Sequence, residues 1–291
     1  MSASGLKYRK QLLLLLPIII LLVSIFAYPI ARAFFLSFYK VSFGTAQSEF
    51  VGLDNFATMF LDPVFWQGLG KSFYWTVGNL AIQLTIPIAL ALLLNRRIRG
   101  VNFARAAIML PWVAPTVTIA VCMRWMLLPH IGIISEILSG LGFGRIHLLG
   151  GLGSAMPTLI LLNSWKFLPF GTLMILASLQ TIPNSIYEAA RVDGASALQR
   201  FKYITFPYIT AMIWFVGFLA FSWNFNTFDL IWLTTQGGPG SATQTLPILI
   251  YRTAFKTFRL GEASAISITI AIILIVIGIL YFSSIRPKGE Q

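Results

Sequence analysis

Apolar residues along the chain gather into six long runs separated by short polar stretches. A helix that crosses a bilayer needs about 20 mostly apolar residues. On that basis the pattern predicts spans over residues 12–35, 72–94, 106–128, 155–179, 208–233 and 263–285, the third and fifth interrupted by polar residues. The expected fold is an all-α membrane protein with one domain over residues 1–291. Lys7, Arg9 and Lys10 precede the first run, and Ala31-Arg32-Ala33 loosely resembles a small-residue cleavage site. The apolar run from Leu12 to Tyr28 is nevertheless longer than the roughly 7–15 residues of a secretory signal core, so it reads as a retained span.

The interruption over residues 180–207 exceeds what a turn requires and is the most structured polar stretch of the chain. Ser185 with Glu188, and Ser196 with Gln199, have capping-box spacing, in which a hydroxyl and a carboxylate or amide satisfy free N–H groups at a helix start. Gly194 lies between them and tolerates the left-handed conformation that ends helices. The segment therefore predicts a helix, a sharp bend, and a second short helix reaching Pro207. Ile186, Tyr187 and Ala190 lie at one-turn spacing and form a small apolar face. Such a face suits a groove on a partner protein, and equally a connector lying on the membrane surface.

Composition agrees with the pattern. Hydrophobic residues make up 57% and charged residues 10%, against roughly a quarter charged in soluble domains. The net charge of +12 would suggest nucleic acid in a soluble protein. Here the basic residues flank apolar runs and set orientation instead. With the amino terminus inside, Lys7, Arg9, Lys10, Arg96, Arg97, Arg99, Arg105, Arg191, Arg200, Lys202, Arg286 and Lys288 are cytoplasmic, against Lys40, Lys71, Arg145, Arg252, Lys256 and Arg259 outside. That excess places both termini in the cytoplasm. Arg252, Lys256 and Arg259 share one helical face, which predicts a helix lying at the outer interface. The single cysteine, Cys122, excludes an intrachain disulfide and a cysteine-cluster metal site.

The Glu188-Ala189-Ala190-Arg191-Val192-Asp193-Gly194-Ala195 run, followed by Ile204-Thr205-Phe206-Pro207, resembles the EAA motif of permease subunits in bacterial ABC importers. It matches that motif at Glu188, Ala189, Ala190, Gly194, Ile204 and Pro207, with Phe206 where the family has leucine. Phe50-Val51-Gly52-Leu53-Asp54-Asn55-Phe56, Leu110-Pro111 and Gly237-Gly238-Pro239-Gly240 look like the carbohydrate branch, of the maltose and glycerol-phosphate type. The resemblance implies a type I importer permease fold in a bacterial inner membrane. It implies a coupling helix carrying Ile186, Tyr187, Glu188, Ala189, Ala190, Asp193 and Gly194, seated in a cleft of an ATP-hydrolysing subunit. It also implies a second homologous permease subunit, two ATPase subunits that hold ATP and magnesium, and an extracytoplasmic solute-binding protein. No cofactor is expected in this chain.

The chain itself shows no motor. Ion-coupled carriers commonly use acidic side chains near the midplane, and the predicted spans offer only Asp229, near the outer end of the fifth. Gly70-Lys71-Ser72 looks like the tail of a P-loop, but position 65 is Phe65 where the first glycine belongs. His130 and His147 lie in one outer loop and are too few for a metal site. Energy must enter from another subunit. A stand-alone ion-coupled carrier is the alternative reading, and a membrane enzyme a weaker third, since no nucleophile–base pair is evident.

Polar groups inside a bilayer are costly and usually face a cavity or another helix. The fourth span carries Asn163, Trp165, Lys166 and Phe170; the fifth carries Trp223, Asn224, Asn226 and Thr227. Amides bond hydroxyl groups and aromatic rings stack on apolar sugar faces, so these stretches are the candidate solute pathway. Adhesion between helices is the competing reading of the Asn163 and Asn224 pair. In the maltose-type relatives sugar contacts come from these two stretches, which implicates Asn163, Trp165 and Asn224, with Phe170 at a tyrosine position and Thr227 changed. Lys166 departs from the family pattern. A lysine at a helix centre costs roughly 2.5–3.5 kcal/mol on insertion scales, and the expectation is that it pairs with an anionic group on the solute. Pairing with an acid on the partner subunit, or hydration, is the competing reading.

Overall fold

The structure, a computed structural model, describes residues 15–41, 48–96 and 99–285. The orienting charges Lys7, Arg9, Lys10, Arg97, Arg286 and Lys288 lie outside the described residues, as does the start of the first predicted span. In chain order the elements are α1 (Leu15–Leu36), a hairpin of β1 (Tyr39–Val41) and β2 (Ser48–Phe50), α2 (Asp54–Leu61), α3 (Pro63–Leu94), α4 (Val101–Val113), α5 (Thr116–Met126), α6 (Ile133–Phe143) and α7 (Ala155–Gln180). There follow α8 (Asn184–Val192), α9 (Ala197–Phe225), α10 (Asp229–Thr234), α11 (Leu246–Phe255) and α12 (Leu260–Ile285). Among the described residues five helices are long and apolar enough to cross a membrane, or six if the bent pair α4 and α5 is counted as one span. The short hairpin is the one strand pairing among the described residues of this otherwise helical fold.

Span boundaries differ from the hydropathy reading where local chemistry overrides it. The α7 helix coincides with the predicted fourth span, because its apolar run is unbroken by caps. The α3 helix starts at Pro63, before the predicted residue 72. Its 32 residues extend about 48 Å at 1.5 Å per residue, beyond the roughly 30 Å of a hydrocarbon core. The third span is broken by 90° between α4 and α5. Ala114 precedes Pro115, and the proline ring drives its neighbour out of the helical region, here to φ −67° and ψ 135°. The fifth span runs from Ala197 and stops at Phe225 rather than at residue 233. Asn226 Nδ2 donates to the Ser222 carbonyl at 3.1 Å and Thr227 Oγ1 to the Trp223 carbonyl at 3.0 Å, which satisfies the last free carbonyls. The predicted outer helix also ends early. The α11 helix stops at Phe255, so Lys256 and Arg259 do not share a helical face with Arg252. Leu246, Ile248, Leu249, Thr253 and Ala254 of α11 are buried, while Phe255 is exposed.

The described residues group into two units, one within Met1–Trp66 and Leu249–Ile273 and the other within Gln67–Ile248 and Leu274–Gln291. In the first, β1 and β2 pair antiparallel in the register Tyr39↔Phe50, Lys40↔Glu49 and Val41↔Ser48. Asn55 Nδ2 donates to the carbonyls of Ser37 at 2.8 Å and Tyr39 at 3.0 Å, anchoring the hairpin to α2. Gly261 sits against the same point: a Cβ there would press into the Tyr39 carbonyl and lie 2.9 Å from Asn55 Nδ2. Gly261→Ala is therefore expected to destabilise this unit by about 1–3 kcal/mol, the usual cost of overpacking. The check is the thermal unfolding midpoint in detergent; a midpoint equal to that of the parent would show that the hairpin yields freely.

In the second unit one apolar core gathers Trp75 of α3, Met156, Leu159 and Ile160 of α7, and Leu230 and Ile231 of α10. Another gathers Ala91 and Leu94 of α3, Ile175 and Leu179 of α7, and Ile209 of α9. Helices α3 and α7 approach closely at Gly171, where a Cβ would lie 3.2 Å from Pro87 Cγ and 3.3 Å from the Gln83 carbonyl. Small residues permit such close crossings in membrane helices.

Candidate solute pathway and coupling elbow

Three helices meet in a closed amide network. Asn163 Nδ2 on α7 donates to Asn79 Oδ1 on α3 and to Asn224 Oδ1 on α9, both at 2.7 Å. Asn79 Oδ1 also accepts from Ser164 Oγ at 3.0 Å and Gln83 Nε2 at 3.2 Å. Asn224 Nδ2 donates to Gln83 Oε1 at 2.9 Å and to the Ala220 carbonyl at 2.7 Å, while Trp75 Nε1 donates to the Asn224 carbonyl at 3.0 Å. All these side chains are buried. Sequence reasoning placed Asn163 and Asn224 in a solute cavity; the structure turns their amides on one another and on α3. The physical reason is that buried polar groups must be satisfied, and α3 supplies partners that the fourth and fifth spans alone do not reveal.

The open face nearby is aromatic. Trp112 of α4 stacks on Phe170 of α7 at 6.0 Å between ring centroids, and Phe170 meets Trp223 of α9 edge-on at 4.9 Å. Phe167 lies 5.9 Å from Trp223. Trp112 and Trp223 are each 40% exposed. A void of about 10 Å3 behind these rings, lined by Gln83, Phe167, Phe170 and Trp223, is at the lower limit for one water molecule. Trp165 is exposed on the Leu161 side of α7, one turn away. Thr227 is half-buried and donates to the Trp223 carbonyl at 3.0 Å, as a cap on α9.

Lys166 is only 8% exposed, and its ammonium donates to Thr116 Oγ1 at the first residue of α5. The Phe167 ring lies 5.7 Å from Nζ. The partner that the structure gives Lys166 is a hydroxyl of the same chain, just beyond the break in the third span. The break itself brings Thr116 into reach by starting α5 beside α7.

At the other end of α7 the chain makes its elbow. Helix α8 ends in a Schellman motif: the Ala195 N–H donates to the Ala190 carbonyl at 2.9 Å and the Gly194 N–H to the Arg191 carbonyl at 3.1 Å. Gly194 takes φ +76°, as expected of a left-handed cap. The Ser196 and Gln199 box forms, with Ser196 N–H donating to Gln199 Oε1 at 2.7 Å and Gln199 N–H to Ser196 Oγ at 3.3 Å. The Ser185 and Glu188 box does not form. Pro183, extended at ψ 136°, is the N-cap of α8, so Ser185 already lies inside the helix and cannot cap it. Nor does the second helix stop at Pro207. It widens into a π-type turn, in which the Phe206 N–H bonds the Phe201 carbonyl, and continues through the proline into α9. Widening accommodates the N–H that proline lacks.

The seven expected coupling residues divide between the two sides of the elbow. Ile186, Tyr187 and Ala190 are half-buried, and Tyr187 packs on the core of Leu94, Ile175 and Leu179 while its hydroxyl pairs with Thr205 Oγ1 at 2.8 Å. Glu188, Ala189, Asp193 and Gly194 are exposed, joined by the apolar side chains of Val192 (88% exposed), Leu198 and Tyr203. The expected apolar face is turned inward and holds α8 to its own subunit.

Residues 83–286 match the family described as binding-protein-dependent transport system inner membrane component. The chain belongs to this family. The permease is 34% identical over 277 residues to the sulfoquinovosyl glycerol transport system permease protein SmoG of Agrobacterium fabrum, covering 95% of this chain and 90% of that one. It is 32% identical over 293 residues to the trehalose/maltose transport system permease protein MalF of Thermococcus litoralis, covering 99% and 98%. It is similar in structure to a chain of the bacterial alginate ABC transporter solved with an alginate pentasaccharide-bound periplasmic protein, with a TM-score of 0.84, 25% identity and 98% coverage of both chains. The permease is a transport subunit of a binding-protein-dependent importer, not an enzyme, and a multi-pass membrane protein.

Sequence reasoning missed Asn79 and Gln83, which organise the permease's amide network. The available signal was Trp75, Asn79 and Gln83 at successive turns of an apolar span, a polar stripe that must find partners. It also left Gly70-Lys71-Ser72 without a role. Lys71 Nζ donates to Ser241 Oγ at 3.0 Å and Ser72 Oγ accepts the Leu246 N–H at 2.8 Å, so this tripeptide secures the segment after the Gly237–Gly240 loop.

Proposed function

We propose that the permease pairs with a second homologous membrane subunit to form the pathway of an ATP-driven importer for a carbohydrate or sugar derivative. An extracytoplasmic solute-binding protein delivers the solute. Two separate subunits hold ATP and magnesium and hydrolyse it, docking on the elbow around Glu188, Ala189, Asp193 and Gly194. Ile186, Tyr187 and Ala190 serve that docking by fixing α8 from within. Both termini face the cytoplasm of a bacterial cell.

The exposed elbow is the observation that carries this reading. A chain without a nucleotide site presents Val192, Leu198 and Tyr203 to solvent beside a rigidly capped bend, and exposed apolar patches rimmed by polar groups mark protein contacts. The open rings of Trp112, Phe170 and Trp223, with Trp165 and Thr227 at its margins, suit stacking on sugar faces. Asn163, Asn224 and Lys166 support the pathway by holding its helices. The names of the relatives, which include carriers of sugars, agree with a carbohydrate solute.

The test is uptake of labelled sugars into proteoliposomes. With both permease subunits, the ATPase and the binding protein present, uptake is expected to require ATP and to fall to background when the ATPase is omitted. Uptake by this chain alone, driven by a proton or sodium gradient, would overturn the proposal in favour of a secondary carrier.

A further inference from the structure

A cavity of about 330 Å3 lies in the unit containing α7, at the helix ends remote from the elbow. Its size falls at the lower end of the roughly 300–1,000 Å3 usual for small-molecule sites. Its walls include Arg124 of α5, His147 ahead of α7, Thr234 and Thr235 at the end of α10, and Pro239 of the glycine-rich loop. Arg124 and His147 are both exposed, so their polar ends are within reach of a ligand. The His147 ring stands edge-on to His130 at 6.1 Å between centroids, and Arg145 Nη1 lies 3.3 Å from His130 Nδ1. A guanidinium only donates, so His130 Nδ1 accepts and its proton resides on Nε2.

Arg124 and His147 thus border the concavity, with His130 and Arg145 behind His147, and none of the four has a carboxylate partner among the described residues. Thr234 and Thr235 are committed, Thr234 Oγ1 to the Leu230 carbonyl at 2.7 Å and Thr235 Oγ1 with Thr243 Oγ1 at 2.7 Å. Their oxygens retain lone pairs that can accept from hydroxyl groups. The cavity therefore combines a planar cation, matched to oxyanions, with acceptors for a polyhydroxylated body.

We propose that this cavity is an entry site for an anionic sugar derivative, with Arg124 and His147 holding its carboxylate, phosphate or sulfonate before the solute passes to the aromatic face. The proposal rests on the importer reading and deepens it, by assigning charge selection to the mouth rather than to Lys166. Concavity favours a small solute over an acidic protein surface, which would meet the same charges on a flat or convex face. Cations collected at a mouth also raise the local concentration of anions.

The experiment is equilibrium binding to the full chain in a neutral, phosphate-free detergent, with glucose 6-phosphate as probe and glucose and inorganic phosphate as comparators. Glucose 6-phosphate is expected to bind, glucose to bind at least tenfold more weakly, and Arg124→Gln to weaken the phosphosugar at least tenfold while Arg124→Lys retains part of its affinity. His147→Leu, removed from the helices, gives a smaller loss and serves if Arg124→Gln does not fold, as judged by gel filtration. Equal binding of glucose, or unchanged affinity in both Arg124→Gln and His147→Leu, would overturn the site. Inorganic phosphate binding as tightly as the phosphosugar would reduce it to an adventitious ion only, and displacement by a few molecules of phosphatidylglycerol would reassign it to lipid headgroups. None of these readings depends on ATP, so failure here is distinct from failure of the importer proposal, which the ion-gradient experiment measures.

Discussion

Asn79→Leu is expected to lower the stability of the permease by about 2–4 kcal/mol, more than any single replacement in the aromatic face. Asn79 Oδ1 alone receives Asn163 Nδ2, Ser164 Oγ and Gln83 Nε2. Measured hydrogen bonds between membrane helices average about 0.6 kcal/mol each, but a buried donor left without a partner costs about 1–3 kcal/mol. Leucine fills similar volume yet strands donors from two helices at once. Asn226→Ala makes the control, since Asn226 is exposed and its described side-chain bond is a cap to Ser222 within its own chain segment. The midpoint of thermal unfolding, followed by tryptophan fluorescence in detergent, should drop for the first and barely move for the second. Equal midpoints would mean that the amides are available for another task, and the solute pathway would have to be drawn through them again.

The second large effect is on coupling rather than stability. Gly194→Val should cut ATP-driven uptake tenfold or more while leaving the amount of protein in the membrane nearly unchanged. A Cβ at Gly194 meets nothing within 4 Å, so the substitution creates no clash. What it violates is the backbone: φ is +76°, a region in which a β-branched residue is a genuine outlier, at a cost of roughly 1–2 kcal/mol. The strain would open the Schellman motif and swing Glu188 to Val192 relative to the Ser196 cap. Gly194→Asn, which accepts the left-handed conformation more readily, should retain most transport. If valine and asparagine behave alike in proteoliposomes, the bend does not control the docking of the ATPase.

Much of this architecture was legible from the amino acids, for reasons that differ by element. The α7 span is a continuous apolar run and came out within one residue at its end. The Ser196 box and the Gly194 turn are local patterns whose partners lie within a few residues, so spacing alone identifies them. Ser185 has the same spacing, but Pro183 won the cap position, a competition that a motif does not reveal. Hydropathy averaging could not see that Ala114, one residue before a proline, would bend the third span by a right angle. The direction of the amides was beyond the sequence as well. Asn163 announces that something polar must face it, but its partner Asn79 stands 84 residues away. Lys166 poses the same problem, since Thr116 comes within its reach only once the broken span is folded.

The uninterrupted passage from the Ser196 cap through Pro207 to Phe225 has a mechanical consequence. Twenty-nine residues of helix form a rod of about 43 Å at 1.5 Å per residue. The helix is continuous from the Ser196 cap to the ring of Trp223 near the far tip, its one widening being the π-type turn ahead of Pro207. A tilt of about 10° pivoting at the elbow would carry that tip about 7 Å, more than the 4.9 Å that separates Trp223 from Phe170. The permease thus has a lever long enough to part its own aromatic contacts by a small stroke.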